Sequence, residues 1–108
     1  MAKLEKEIEG NFDEILKKIE NGILKGSVTA TLEDSSDFVS DKARCSVRVF
    51  ERYSSLGSNR VSLSITLFQN NEDKIKLSAI TSGGSQALFW KINTLGEKAF
   101  LDKLKEIL

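Results

Sequence analysis

The chain has no histidine and no proline, and only one cysteine, one tryptophan and one tyrosine among 108 residues. Each absence excludes something. Without histidine there is no imidazole general base and no zinc site built on histidine within the chain. A lone cysteine, Cys45, precludes an internal disulfide and a cysteine-rich metal site, and a reducing cytoplasm is the expected compartment. Without proline, turns must come from glycine, asparagine, aspartate and serine. No run of about eighteen apolar residues occurs, so no membrane-spanning helix is expected. The start "MAKLEKEIEG" lacks the apolar stretch of a signal peptide. Neither sign of charge is in excess: 16 basic residues face 16 acidic ones, which argues against a strongly basic nucleic-acid binder.

What is present is patterned for a mixed fold. Ala2, Leu4 and Ile8 fall on alternate positions, with Lys6 as the exception, and read as a short amphipathic strand. A helix is the rival, because Leu4 and Ile8 are also four apart. Gly10 breaks the run. Asn11 stands three residues before Glu14, the spacing of a capping box, and Phe12, Ile15, Leu16 and Ile19 form one stripe, so a helix is expected over 12–21, stopped by Asn21–Gly22. Val28, Ala30 and Leu32 alternate as a half-buried strand that "EDSSD" ends as a turn. Three cleaner alternations follow: Arg44–Tyr53, Val61–Phe68 with Val61, Leu63, Ile65 and Leu67 inward, and Ile75–Ala79. They read as an antiparallel meander. "SQALFWKI" reads as a last strand, greasy on both faces. "NTLGEKAFLDKLKEIL" reads as a helix over about 95–107, with Thr94 and Glu97 as a second capping box. The expected fold is one α+β domain over 1–108: a single antiparallel sheet of five or six strands with a helix near each end, in the order β-α-β-β-β-β-β-α.

Candidate functional residues are few. All four arginines, Arg44, Arg48, Arg52 and Arg60, lie on one hairpin. Alternation places the first three on one strand face, and continuing the even register puts Arg60 there too. Phe50, Phe68 and Trp90 would stand among them. Arginine rather than lysine suggests bidentate contacts to carboxylate or phosphate. The plain alternative is a solvated face whose arginines pair with Glu33, Asp34, Asp37 or Asp41. Gly83, Gly84 and Ser85 offer a loop whose backbone N–H groups face an anion, but a hairpin turn explains them as well, and the strand–loop–helix context of a phosphate loop is missing. Glu51 falls on the apolar side between Val49 and Tyr53, where strand-end solvent or a bulge would relieve it. A catalytic use of Glu51 with Arg48, Arg52 or Tyr53 has no visible nucleophile–base pair behind it. "EDSSD" lacks the spacing of a calcium loop, and no cofactor is expected.

The segments "LEDSSDF", "ARCSVRVFERYS", "NRVSLSITLF" and "SAITSGGSQALFWKINTLGEKAFL" resemble a family of small uncharacterised bacterial proteins. Its comparable segments run "EDSSD", "R-C-x-V-R-V-(F/Y)-E-R-Y-S" and "AITSGGSQA" ahead of "KINT-x-G-E". The similarity covers about Gly26 to Leu101. It implies no activity and no role for any residue, and it draws attention to Arg48, Glu51, Arg52, Tyr53, Gly83, Gly84, Ser85 and Gln86. The element order also resembles a shortened helix-grip fold, in which a curved sheet wraps a C-terminal helix. A two-layer sandwich without a cavity fits it equally. The expected function is non-enzymatic binding of a small acidic or amphipathic ligand, or of a protein partner, through the arginine face. The alternatives are a self-associating module in which the second sheet face pairs two chains, and, last, an enzyme using Glu51.

Overall fold

Alternation decides the first element. In the computed structural model, which describes residues 1–54, 59–71, 73–83 and 90–108 (54 and 90–96 by backbone only), Ala2–Glu9 form strand β1. Ala2, Leu4 and Ile8 pack on the core and the residues between them face solvent. Gly10 follows with φ of 145°, a backbone angle that a side chain disfavours, and turns the chain into helix α1, Phe12–Gly26. The expected cap is present: Asn11 Oδ1 accepts from the Glu14 N–H at 3.0 Å. Phe12, Leu16, Ile19 and Ile23 form the buried stripe.

The meander follows as β2 (Thr31–Val39), β3 (Arg44–Ser54), β4 (Asn59–Gln69) and β5 (Lys74–Gly83). Helix α2, Trp90–Ile107, ends the chain. The described strands form one antiparallel sheet in the order β1-β5-β4-β3-β2. Because β1 lies beside β5, α1 must carry the chain from one edge of the sheet to the other. Its fifteen residues span about 22 Å, and four strand spacings need about 19 Å. Helix α2 lies over β5, β4 and β1 and against α1. Val61, Leu63, Ile65 and Leu67 of β4 and Ile75, Leu77 and Ala79 of β5 fill the helix side of the sheet. Phe50 and Phe100 are wholly buried there, so the layers meet as a packed sandwich.

Several local expectations change. Gly22 does not stop α1, which runs on to Gly26. Its reason is a close approach of helices: a Cβ on Gly22 would lie 2.6 Å from Cγ1 and Cδ1 of Ile107. Val28 is fully exposed and precedes the strand, and "EDSSD" is extended within β2. That strand is exposed at every position, with a register shift at Glu33, so it carries no apolar alternation to read; pairing with β3 makes it. Trp90–Ile92 are helical, so the expected last strand does not cover 90–92, and residues 84–89 lie outside those described. A short apolar run does not separate strand from helix by periodicity. Thr94 and Glu97 therefore lie within α2. Glu97, 5 % exposed, sits 2.8 Å from the amino group of Met1.

The two glycines of α1 separate helix propensity from packing. Gly26→Ala meets only the flexible Lys103 side chain and is expected to leave stability within about 0.5 kcal/mol of wild type. Gly22→Ala should destabilise by about 1 kcal/mol in urea unfolding, because it forces Ile107 away. A gain of about 1 kcal/mol, the propensity effect alone, would contradict the close approach.

Candidate functional site

Strand β3 decides the site, because it has two amphipathic faces and one must lie under the helices. The β4 register settles which. Phe50 stands opposite Leu63, Arg48 opposite Ile65, Ser46 opposite Leu67 and Arg52 opposite Val61. Directly opposed residues share a face, so the even positions of β3 point inward with the β4 core. The arginines Arg44, Arg48 and Arg52 therefore lie on the helix side, while Cys45, Val47, Val49, Glu51 and Tyr53 take the outer face. Arg60 stands opposite Tyr53 and points outward, so the expected four-arginine face does not form.

Each inward arginine is held differently. Arg44 reaches α1, donating from Nη2 to Asp13 Oδ1 at 2.8 Å and from Nη1 to Oδ2 at 3.2 Å, with its guanidinium 4.0 Å from the Phe12 ring centre. Arg48 is 8 % exposed. Its Nη1 donates to the Val47 carbonyl at 2.9 Å and lies 3.1 Å from Asp37 Oδ1, and its Nε lies 3.7 Å from Glu20 Oε1. Asp37 also accepts from the Ser46 hydroxyl at 2.6 Å. Arg52 lies 4.5 Å over the Phe100 ring and has no carboxylate partner among the described residues; burial pushes its pKa below the usual arginine value.

The carboxylates answer in kind. The Asp37 pKa is lowered first by the Ser46 hydrogen bond and then by Arg48. The Asp13 pKa is lowered by its Arg44 hydrogen bond and charge. Two of the three inward arginines are thus matched by the chain's own acids, though not by Glu33, Asp34 or Asp41.

The other candidates scatter. Arg60 pairs with Glu51 at 2.9 Å on the outer face, so Glu51 and Tyr53 lie on the side of the sheet opposite Arg48 and Arg52. Gly83 ends β5 opposite Val61, and a Cβ there would meet nothing closer than 3.6 Å. Gly84, Ser85 and Gln86 lie outside the described residues, and Trp90 is placed only as the first residue of α2.

The outer face was not assembled as a site from the sequence. No helix among the described residues covers it, and its rows follow from the register. Phe38, Cys45 and Phe68 stand side by side across β2, β3 and β4, and the row continues to Lys76 and Glu7. The next row is Ser36, Val47, Thr66, Ser78 and Glu5, and the third is Asp34, Val49, Ser64, Ile80 and Lys3. Apolar and hydroxyl side chains hold most of the β2–β4 side, with Asp34 at its β2 edge and the Glu51–Arg60 pair at one end, and further charges gather toward β1. Phe38 is 66 % exposed, and Phe68 and Ile80 are exposed beside it. A hollow of about 180 Å³ lies between Phe38, Cys45 and Phe68, and another of about 120 Å³ between Ser36, Val47 and Val49. The clue in the sequence was the valine pair of β3, once Phe50 is assigned inward.

A family model described as a family of unknown function, DUF6054, matches residues 1–108. The chain belongs to this family. No curated protein matches it. Among the described residues of this DUF6054 chain, no helix is long and apolar enough to cross a membrane. The extended backbone of "EDSSD" does not make a calcium loop.

Arg48→Ala in the DUF6054 chain should cost about 2 kcal/mol in urea unfolding at neutral pH, since it leaves carbonyl and carboxylate groups without their donor. Because the folded pKa of Asp37 is lowered, its contribution is present above the unfolded value near 3.8 and lost as pH falls through the lower folded value. Wild type should therefore weaken steeply below about pH 4, and Arg48→Ala less steeply. Equal acid slopes would show that Arg48 does not hold Asp37.

Proposed function

We propose that this chain is a non-enzymatic protein-binding module whose surface is the helix-free face of the sheet. One observation carries the reading: Phe38, Cys45 and Phe68 form a contiguous apolar row, exposed at both phenylalanines and half-buried at Cys45, with the half-buried Val47 and Val49 beside it and charges at its edges. An apolar centre with a polar rim is the usual anatomy of a protein interface. The alternatives lose support for physical reasons. Arg44 and Arg48 already have carboxylate partners, so a converging arginine site for an acidic small molecule retains only Arg52, half-buried beside Phe100. An enzyme pairing Glu51 with Arg48 or Arg52 would need groups that lie on opposite sides of the sheet; only Tyr53 shares its face, and Glu51 is already paired with Arg60. A nucleic-acid surface would need one sign of charge, whereas the outer face mixes lysine with glutamate. A single free cysteine at the centre of such a face suits a reducing cytoplasm.

Photo-cross-linking tests this. With a benzophenone side chain in place of Phe68, irradiation of the producing cells should give a covalent adduct between this chain and a protein. Absence of any protein adduct, with the variant folded as wild type by circular dichroism, would reject the face as a binding surface.

A further inference from the structure

The outer face also indicates what it binds. Resting on its reading as a protein surface, we infer that its partner is a second copy of this chain, stacked face to face about a two-fold axis that lies in the interface and runs across the strands through the Ser36–Val47–Thr66–Ser78–Glu5 row.

Size is the first argument. Five strands about 4.8 Å apart and some ten residues long at about 3.3 Å each present roughly 800 Å². One partner in a stable interface of standard size contributes roughly 800 Å².

Complementarity is the second. The axis keeps β2 over β2 and reverses the rows, so the Phe38–Cys45–Phe68–Lys76–Glu7 row meets the Asp34–Val49–Ser64–Ile80–Lys3 row of the other copy. Phe38 then meets Asp34 at the edge of the hollow of about 120 Å³ that Asp34, Ser35, Ser36, Val47 and Val49 line, its ring toward the valines. Phe68 faces the small Ser64, Cys45 faces Val49, and Glu7 faces Lys3. A surface carrying both its own projections and its own hollows is what an isologous contact needs. Glu5 meets its like, at the solvent rim where the cost is small.

Charge is the third. The face mixes Lys3, Lys74, Lys76 and Arg60 with Glu5, Glu7, Glu9, Glu51 and Asp34, and the whole chain has a formal net charge of zero. Two copies approach without net repulsion, whereas a strongly acidic or basic partner gains nothing from such a face. Extension of the sheet through the β2 edge about Ser35 is disfavoured. A two-fold axis at Ser35 would set Glu33 opposite Asp37, like charges in direct opposition, on a strand already bulged at Glu33.

Sedimentation equilibrium on the purified full chain, together with Cys45 alkylation rates across protein concentration, tests the inference. The expected result is a species of about 24 kDa, twice the 12.0 kDa of one chain, and Cys45 alkylation that slows as the dimer forms. Phe38→Lys should raise the dimer dissociation constant at least about tenfold while leaving the monomer's circular dichroism spectrum unchanged. Val49→Lys serves as a second variant should the first perturb folding. A monomer at every concentration overturns the inference, as does a dimer that both variants and the Cys45 rate ignore. A monomer that still forms a photo-adduct of a different mass removes only the second copy. A monomer with no adduct removes the binding surface as well.

Discussion

A guanidinium under a helix is the constraint on which the rest depends. Phe50 must lie inward to meet Leu63, and strand geometry then sends Arg48, two residues away, to the same side. A buried cation is costly unless its donors are answered. The answer comes from three elements: Asp37 on β2, Glu20 on α1, and the Val47 carbonyl of β3 itself. The charge therefore ties the first helix to the β2–β3 hairpin. Arg44 adds a second tie, gripping Asp13 and lying on Phe12 at the start of that helix. Strand β2, exposed at every position, gains its place through Asp37 and through backbone pairing, not through an apolar face.

The outer face follows from the same choice. With the arginines inward, the valines of β3 point away from the helices and join Phe38 and Phe68. A sheet with a polar strip on its covered side and an apolar strip on its open side reverses the common arrangement of an antiparallel sheet. That inversion separates a structural use of the arginines from a binding use of the uncovered residues.

Much of the fold was legible. The meander strands β3, β4 and β5 announce themselves by alternation, and the first helix by Asn11 and Glu14. The facing of β3 was not, because Cys45, Val47, Val49 and Tyr53 make a more apolar set than Arg44, Ser46, Arg48 and Phe50. Arginine stems pack well against apolar neighbours, so hydropathy alone misjudges them. Arg60 was misplaced by parity: Ser54 opposite Asn59 pairs an even position with an odd one, so even residues of β3 share a face with odd residues of β4. Gly22 looked like a helix stop because asparagine and glycine adjoin there, and only the second helix, packed against it, shows why the glycine is needed.

The inward placement of the arginines is tested most directly by a three-dimensional nuclear Overhauser spectrum of the labelled protein. The account predicts cross-peaks from the Arg44 side chain to the Phe12 ring and from Arg52 to the Phe100 ring, with none between Arg52 and Arg60. Cross-peaks from Val47 or Val49 to the buried ring of Phe100, or between the Arg52 and Arg60 side chains, would place the opposite face of β3 under the helices and contradict it.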